Sequence, residues 1–540
     1  MKDMDFKDHA KDLLSPLAYD KPPAHVEFRQ THISYLYLTP HFVYKVKKSV
    51  NFGFLDFTTL AKRRHFCSEE VELNRRLAPH VYLGVVEIRK KKGRLAMEGG
   101  EGEVIEYAVK MRRLAEDTIL EERIRQGAVT TRDITRVAEV IARFHKEAKS
   151  GPHISEFGAP EIIEKNIAEN FSQIKVFVGK LLTRASFEAV MAGAEGFIYN
   201  HRDDLIKRVE KNFIRDCHGD IHSEHISINK EIEIIDCIEF NERFRYSDTL
   251  SDMAFLSMDL DFHGRADLAR AFETAYLKAA GEAPCDELLN FYKAYRAVIR
   301  GKVEGLKAGE KEVNTDERAE ARIKAMRYFD LARCYASEGG PRPRLIIICG
   351  VSGTGKSTLA AALGRALWAT SLATDSVRQE LREVKNREKP LPYGKGAYSL
   401  KERERTYREL TRRACSLYLQ NGRTAILDGT FSKNTFLSEA IEAALEAGLT
   451  PEDIFVFECR LEMSVLSERV RRREAAGRAP DMPLSEMRAD IFKNHVNEYE
   501  KKEGNITAVD TAAPLQENIT DMIKAILWKG KNPIEESGLL

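Results

Sequence analysis

The most specific chemical pattern in the sequence is a glycine-rich segment that ends in lysine and hydroxyl residues. It fits G-x-x-x-x-G-K-[ST] at every fixed position and consists of Gly350, Val351, Ser352, Gly353, Thr354, Gly355, Lys356, Ser357 and Thr358. Glycines let backbone N–H groups surround a phosphate, the lysine charge reaches the β- and γ-phosphates, and the serine hydroxyl binds Mg²⁺. An apolar strand precedes the segment and a helix follows it, whose N-terminus favours anions. We therefore expect these residues to bind ATP, with Lys356 also acting in catalysis and Ser357 as a metal ligand.

Two aspartates follow strand-like segments downstream of this loop. Asp428 ends the apolar run 424–428, and a carboxylate at this position is expected to support Mg²⁺. The structural alternative is an Asp-Gly turn after a strand. Asp375 follows the run 369–374 and precedes Arg378 by three residues. The carboxyl ends of parallel strands face the ligand, so Asp375 is a candidate for orienting or activating an acceptor hydroxyl. An ordinary helix start explains Asp375 equally well.

Arginines are concentrated between residues 469 and 478, where Glu474 is the single acid. In a phosphoryl-transfer enzyme, a mobile arginine segment can close over the phosphates and stabilise transition-state charge. Arg469 and Arg473 are our candidates for this catalytic role, and Arg478 belongs to the same segment. A solvated helix face is the alternative explanation of such a run.

A second constellation lies in the first half of the chain. Asp220 follows His218-Gly219 and is placed to accept a hydroxyl proton, and Asp236 ends an apolar strand and is placed to hold Mg²⁺. Upstream, the strand-like run FVYKVKK carries Lys45 and Lys47 on one face. Glu70 lies on the helical stretch 66–77, so we expect Lys45 and Glu70 to form the ion pair that positions the phosphates. Lys47 is the alternative to Lys45 in this pair. Glu69 and Glu72 are the alternatives to Glu70.

The order of predicted elements separates two fold types. Short strand-like runs at 31–38, 41–47, 81–88 and 103–110 precede a mostly helical region, which indicates an α+β arrangement. Beyond the Gly-, Pro- and Arg-rich segment 337–344, strands alternate with helices, which predicts an α/β domain with a parallel sheet. We therefore expect a first domain at 1–338 and a second at 339–540.

The motifs of both halves resemble known phosphotransferase families. The pattern G-x-x-G-x-G-K-S-T, the D-x-x-R at 375–378 and the arginine segment resemble small P-loop kinases such as gluconate kinase, chloramphenicol phosphotransferase and the kinase half of polynucleotide kinase. The first half resembles the aminoglycoside phosphotransferase family, which has a protein-kinase-like fold. Together with YKVKKSVNFGFLDFTTLAKRRHFC at 44–67, the chain resembles the bacterial bifunctional aminoglycoside phosphotransferase/ATP-binding protein family, often labelled AAA family ATPase. The resemblance implies Asp220 as base, Asp236 as Mg²⁺ ligand and Lys45 as the phosphate-positioning lysine.

The first half departs from that family at two places. The family pattern H-G-D-x-x-x-x-N places a metal-binding asparagine where this sequence has His225, and Mg²⁺ prefers oxygen ligands to imidazole. We keep His225 as a predicted metal ligand. Residues 26–44 contain no glycine, so a glycine-rich loop over the phosphates is absent from this segment. The first domain is therefore expected to be a weak kinase or a nucleotide-binding pseudo-kinase.

The composition excludes several other classes of protein. Lys+Arg 85 against Asp+Glu 84 gives a net charge of +1, which favours neither nucleic acid nor an acidic membrane as partner. No apolar run approaches the roughly 18 residues of a membrane span, and the start MKDMDFKDH lacks the apolar core of a signal peptide. The eight cysteines are scattered without a C-x-x-C pair, as expected of reduced thiols. These features predict a cytoplasmic protein.

The combined prediction is an ATP- and Mg²⁺-dependent phosphotransferase with two kinase-type domains. It would transfer the γ-phosphate of ATP to a hydroxyl of a small molecule, chiefly at the C-terminal site. The alternative is a nucleotide-dependent regulator or slow ATPase with a degenerate N-terminal pseudo-kinase. A polynucleotide kinase would need a basic channel with stacking aromatic residues, which the neutral charge balance disfavours. The sequence specifies neither the acceptor nor the oligomeric state.

Overall fold

The computed structural model describes residues 6–310, 313–383, 399–476, 494 and 496–528. The chain divides into two compact units, each built from several segments. The first unit comprises Met1–Ala168, Glu195–Asp259 and Leu268–Lys293, and the second comprises Glu169–Ala194, Leu260–Asp267 and Ala294–Leu540. The helices after residue 294 thus group with the C-terminal sheet. A functional boundary at 338/339 stays a prediction.

The first unit contains a six-stranded antiparallel sheet in the order β1-β2-β3-β6-β4-β5. Its elements in chain order are β1 (Glu27–Gln30), β2 (Ser34–Leu38), β3 (Phe42–Lys47), α1 (Leu60–Asn74), β4 (Tyr82–Lys91), β5 (Arg94–Met97) and β6 (Glu103–Arg112). The predicted strands are confirmed, and the structure adds the four-residue edge strands β1 and β5. Edge strands this short have weak alternation, which explains why the sequence pattern did not reveal them.

Alternation along β3 determines where its lysines lie. Tyr44 and Val46 join one apolar cluster of the sheet, whereas Val43 packs with Cys67 and Val71 of α1 on the other face. Side chains of a strand alternate between faces, so Lys45 and Lys47 share the face of Val43 and lie under α1. The amphipathic pattern of the strand therefore delivers both lysines to the helix that carries Glu70.

The rest of the first part of the chain is mainly helical, with two small two-stranded sheets, β7–β10 and β8–β9. The loop that carries Asp220 lies between β7 and β8, and Asp236 follows β9. The elements are α2 (Leu120–Arg125), α3 (Thr131–Glu147), α4 (Pro152–Glu156), α5 (Pro160–Ile174), α6 (Arg184–Asn200), α7 (Arg202–Glu210), β7 (Ile214–Asp216), β8 (Ile226–Ile228), β9 (Ile232–Ile234), α8 (Glu242–Arg245), β10 (Tyr246–Asp248), α9 (Thr249–Phe262), α10 (Ala266–Ala280), α11 (Asp286–Gly309) and α12 (Thr315–Glu338).

The second unit contains a five-stranded parallel sheet in the order β12-β13-β11-β14-β15. The central strand LIIIC is buried at every position, as expected of a parallel strand covered on both faces. The elements are β11 (Leu345–Cys349), α13 (Lys356–Leu367), β12 (Thr370–Ala373), α14 (Thr374–Glu383), α15 (Leu400–Asn421), β13 (Ala425–Asp428), α16 (Asn434–Glu446), β14 (Ile454–Arg460), α17 (Met463–Ala476), β15 (Ile506–Asp510) and α18 (Leu515–Leu527).

These two architectures confirm the predicted fold class. A kinase-like α+β region, with an antiparallel sheet and a helix over its lysine-bearing strand, is followed by an α/β P-loop domain with a parallel sheet. Every cysteine is a free thiol. Among the described residues, no helix combines the length and the apolar character needed to cross a membrane.

Candidate functional site

The glycine-rich segment forms the loop between β11 and α13. Gly350, Gly353 and Gly355 have φ angles of 140°, 92° and 95°, a region that disfavours residues with a side chain. A Cβ on Gly350 would lie 2.7 Å from the carbonyl oxygen of Cys459, so this position has no room for one. Because α13 begins at Lys356, the free N–H groups of its first turn lie at the loop, where they favour an anion.

Two side chains of α13 converge on the end of β13. In the sheet, Asp428 is level with Ile348 of β11 and Ala373 of β12, so it lies beside the loop. The Ser357 hydroxyl lies close to the Asp428 carboxyl, and the Lys356 ammonium donates a hydrogen bond to the Val351 carbonyl at 3.0 Å. Burial raises the pKa of Asp428, while Lys356 and the Ser357 hydroxyl act in the opposite direction. A hydroxyl beside a carboxylate is the oxygen donor set that Mg²⁺ prefers, so these residues fit the predicted ion.

Asp375 lies in the first turn of α14, directly after β12. Its Oδ1 accepts a hydrogen bond from Arg378 Nη1 at 2.5 Å, and 40% of its side chain is exposed. Asp375 comes two residues after Ala373 of β12, which is level with Asp428 of β13, so both carboxylates lie at the carboxyl end of the sheet. The position fits a helix-start role, and the exposed carboxylate near Asp428 also fits a role toward an acceptor.

The arginine segment begins on α17. Arg469 donates from Nη2 to the carbonyl of Thr511 at 3.3 Å, and a Cβ on Gly355 would lie 3.8 Å from the Thr511 Cβ. Arg469 is thereby held near the glycine-rich loop. Arg473 belongs to α17 by its backbone, its side chain is not among those described, and Arg478 lies outside the described residues.

In the first unit, Lys45 joins the carboxylates of Glu70 and Asp236. Its ammonium lies 2.9 Å from Glu70 Oε1 and 2.5 Å from Asp236 Oδ1. Burial alone would lower the pKa of Lys45, but Asp236 and Glu70 raise it well above its ordinary value. The expected Lys45–Glu70 pair is therefore present, and it extends to the predicted metal ligand.

Lys47 occupies the other oxygen of the same glutamate. Its ammonium lies 2.6 Å from Glu70 Oε2 and also pairs with Glu239. Burial raises the pKa of Glu70, but Lys45 and Lys47 together lower it below its ordinary value. Glu70 thus serves both lysines, while Glu72 of the same helix is exposed. Among the contacts described, Lys45 reaches Asp236 and Lys47 reaches Glu239, and Lys45 as the phosphate-positioning lysine stays a prediction.

The loop around Asp220 is fixed by a buried acid on α9. Asp252 accepts hydrogen bonds from the backbone N–H groups of His218 at 2.9 Å and Gly219 at 2.8 Å. Burial lowers the pKa of His218 to about 4, so its ring is neutral at pH 7. The Asp220 carboxylate lies 3.6 Å from both His222 Nε2 and His225 Nδ1.

His225 lies between Asp220, the predicted base, and Asp236, the predicted metal ligand. Its Nδ1 is 3.0 Å from the Asp220 carbonyl oxygen, and its Nε2 is 3.6 Å from Asp236 Oδ2. Although burial raises the pKa of Asp236, Lys45 and His225 lower it overall, which keeps this group an anion. Asp236 fits a Mg²⁺ site, but the imidazole of His225 does not, because Mg²⁺ prefers oxygen donors.

The first turn of the six-stranded sheet is closed without glycine. It joins β1 to β2, where Thr31 N donates to the Ser34 carbonyl at 2.9 Å and the Ser34 N–H donates to Thr31 Oγ1 at 3.0 Å. A side-chain hydroxyl closes this turn, so it offers no glycine backbone to a ligand. This agrees with the absence of a glycine-rich loop in the sequence.

Sequence reasoning missed two residues that organise the first-unit site. The first is Glu239, which pairs with Lys47. The second missed residue is Asp252, whose backbone partners carry no sequence signal. The signal available for Glu239 was its position three residues after Asp236, near the lysines expected there.

Comparison with known families identifies the second unit. Residues 345–493 match a family described as an AAA domain. With the glycine-rich loop before α13 and the parallel sheet, this defines a P-loop kinase-like domain that follows a kinase-like α+β region. The chain belongs to a family that includes uncharacterized proteins of Mycobacterium tuberculosis and Mycobacterium bovis. These relatives are 31% identical to it over 451 residues, which cover 83% of this chain and 86% of each relative.

Several solved structures are similar to one part of the chain. A choline/ethanolamine kinase family protein from Mesorhizobium loti is 15% identical with a TM-score of 0.35, covering 61% of this chain and 99% of its own. A gluconokinase from Sinorhizobium meliloti is 20% identical with a TM-score of 0.26, covering 37% of this chain and 100% of its own. The APS kinase of Mycobacterium tuberculosis is 17% identical with a TM-score of 0.25, covering 35% of this chain and 99% of its own.

Proposed function

We propose that this protein transfers the γ-phosphate of ATP to a hydroxyl of a small molecule at the P-loop site of its second unit. The observation that carries the proposal is the convergence of Lys356, Ser357 and Asp428 on the glycine-rich loop at the carboxyl end of the sheet. These groups supply a phosphate-binding charge and two oxygen ligands for Mg²⁺. Mg²⁺, when bound, neutralises charge on the phosphates.

The chain's own residues would carry the reaction by positioning and charge neutralisation. Lys356 exchanges its hydrogen bond with the Val351 carbonyl for phosphate oxygens, and the loop N–H groups fix the phosphates in line. Asp375 orients the acceptor hydroxyl or takes its proton, since its carboxylate is partly exposed beside Asp428. Arg469 approaches the phosphates from α17 and stabilises their charge, with Arg473 on the same helix in the same role.

The first unit would hold a second nucleotide, in the manner of the aminoglycoside phosphotransferases that its motifs resemble. In that proposal Lys45 contacts phosphate, Glu70 orients Lys45, Asp220 serves as base and Asp236 holds the metal. The chain would then be a bifunctional phosphotransferase. Its acceptors are small-molecule alcohols, with no implication that they are aminoglycosides, since fold does not determine substrate.

The direct test of the C-terminal assignment is Asp375→Ala in a chain that also carries Asp220→Asn, so that transfer at the first unit does not mask the effect. The readout is transfer of labelled γ-phosphate from ATP to a pool of small-molecule alcohols. We expect transfer to fall by roughly 10²–10⁴, the usual contribution of an acid–base group, while ATP affinity persists. Glu380→Ala is the matched control, because Glu380 lies on the same helix in an exposed pair with Arg413 and should change nothing. If neither variant alters turnover, the protein is a nucleotide-dependent regulator or slow ATPase.

A further inference from the structure

The orientation of His225 is fixed by a backbone carbonyl. Its Nδ1 lies 3.0 Å from the carbonyl oxygen of Asp220, and a carbonyl can only accept a hydrogen bond. Nδ1 therefore carries the proton, and Nε2 keeps its lone pair. A backbone carbonyl on the second ring nitrogen is the usual support of a metal-binding imidazole, because it fixes both the tautomer and the plane of the ring.

The free lone pair of His225 faces a carboxylate oxygen. Nε2 lies 3.6 Å from Asp236 Oδ2, while Lys45 occupies the other oxygen, Oδ1. Asp236 has a φ of 67°, and its N–H donates to the Tyr82 hydroxyl at 3.1 Å, so its backbone is held in an uncommon conformation. A metal with bonds of about 2.1 Å separates adjacent ligands by about 3.0–3.5 Å, so this pair needs little movement to bind one.

One imidazole nitrogen and one carboxylate oxygen are a less suitable donor pair for Mg²⁺ than two oxygens. Mg²⁺ takes oxygen ligands and gives up its waters reluctantly, whereas first-row transition-metal ions bind imidazole with affinities that rise from Mn²⁺ to Co²⁺. We infer that the nucleotide site of the first unit selects a first-row transition-metal ion over Mg²⁺, bound between His225 Nε2 and Asp236 Oδ2. This inference deepens the proposed N-terminal nucleotide site and rests on it.

A competing arrangement uses the neighbouring cluster of Asp220, His222 and His225. One ligand atom from each of these residues lies within 4.8 Å of the others. In that arrangement the His225 nitrogen nearest the Asp220 carboxylate is Nδ1. Nδ1 donates its proton to the Asp220 carbonyl oxygen, so it has no lone pair for a metal. The geometry therefore favours the pair with Asp236, and His222 distinguishes the two arrangements.

The experiment is a metal titration of the full-length chain carrying Lys356→Ala and Asp428→Asn, which removes the phosphate-binding lysine and the metal-binding carboxylate of the P-loop site. Mn²⁺ binding is followed by electron paramagnetic resonance, with Co²⁺ and Mg²⁺ as competitors, with and without a non-hydrolysable ATP analogue. We expect affinities in the order Co²⁺, Mn²⁺, Mg²⁺. His225→Asn, which restores an oxygen donor, should weaken Co²⁺ binding by about tenfold or more relative to Mg²⁺. His222→Gln is the matched control and should leave the order unchanged.

The His225 ligand is read directly by pulsed resonance of the Mn²⁺-loaded His222→Gln chain, which should still show coupling to a nitrogen of a bound imidazole. This measurement remains decisive even if His225→Asn fails to fold. Mg²⁺ binding as tightly as Co²⁺, or no nitrogen coupling, would overturn the inference. Loss of binding in His222→Gln equal to that in His225→Asn would also overturn it, in favour of the Asp220 cluster. Selective metal binding without any analogue binding would instead overturn the proposed N-terminal nucleotide site and leave the metal assignment standing.

Discussion

The Ser357 hydroxyl in the first turn of α13 lies close to the carboxyl of Asp428, the last residue of β13, and acts to lower its pKa. This contact links the helix that follows the phosphate-binding loop to the strand next to it in the sheet. It places two oxygen atoms close together at the end of the sheet where strands of α/β proteins meet their ligands. The remaining site residues of the second unit are arranged around this pair.

The charge of Asp428 should be needed for metal-dependent nucleotide binding. Asp428→Asn keeps the shape of the side chain and can accept from Ser357, but it removes the anion, so we expect Mg²⁺-dependent ATP binding to weaken about tenfold or more. Stability should not fall, because burial already disfavours the charged form of Asp428. Mg²⁺ titration of nucleotide binding measures the first effect and thermal unfolding the second. Asp453→Asn is the control, since this buried acid precedes β14 at the opposite end of the sheet.

The backbone of the phosphate-binding loop should tolerate no side chain at Gly350. Its φ of 140° is unfavourable for alanine, and the new Cβ would meet the Cys459 carbonyl oxygen at 2.7 Å. We expect Gly350→Ala to cost about 1–3 kcal/mol of stability and to abolish nucleotide binding at this loop. Gly196→Ala is the opposite case, because Gly196 lies within α6 and a Cβ there meets nothing within 4 Å. That variant should gain about 0.5–1 kcal/mol in chemical denaturation; a loss equal to that of Gly350→Ala would contradict this account.

We expect Lys47 to stabilise the fold and Lys45 to act in nucleotide binding. Lys47 lies between the buried carboxylates of Glu70 and Glu239, so Lys47→Met leaves buried charge uncompensated and should cost about 3–5 kcal/mol. Adding Glu239→Gln should recover part of that loss in a double-mutant cycle. Lys45→Met should be milder, because Glu70 keeps Lys47 and the Asp236 side chain is 42% exposed. Equal destabilisation by both lysine variants would contradict this assignment of roles.

The stability of the first unit should depend on pH through His218. Burial lowers the pKa of His218 to about 4 in the folded protein from 6.5, so the unfolded chain binds the extra proton between these values. Stability should therefore fall as the pH drops from 6.5 to about 4, by up to about 1.4 kcal/mol per pH unit from this group. Below about pH 4 the contribution stops changing, since both states are protonated. Denaturation of His218→Asn across this range should show a shallower slope, and an unchanged slope would refute the assignment to His218.

The sequence predicted the second unit more completely than the first. The strands of the parallel sheet are apolar runs with clear boundaries, and Asp428 and Asp375 follow them directly, so strand ends and candidate ligands were visible together. The glycine-rich loop needed no tertiary information, because its pattern encodes the backbone conformation. The arginine segment was predicted from composition: Arg469 contacts the Thr511 carbonyl, whereas Arg471 and Arg472 are exposed and pair with Glu468 of the same helix.

The first unit could be predicted only in part because its site is assembled from distant segments. Alternation placed Lys45 and Lys47 on one face, but it could not say that a single Glu70 would bind both or that Glu239 would join them. Asp252 accepts hydrogen bonds from backbone N–H groups of the loop around Asp220. Nearly every residue type has such a group, so the loop sequence does not predict this contact. His225 was visible as a departure from the family pattern, whereas the carbonyl that orients it is a tertiary feature.

The most direct test of the central claim is calorimetric titration of the full chain and of Lys356→Ala with a non-hydrolysable ATP analogue, in a buffer that contains both Mg²⁺ and Mn²⁺. The account predicts two nucleotide sites in the unmutated chain and one in the variant, with thermal unfolding of the variant unchanged. An unchanged stoichiometry in Lys356→Ala would contradict the assignment of phosphate binding to the loop between β11 and α13, and with it the proposed kinase activity there.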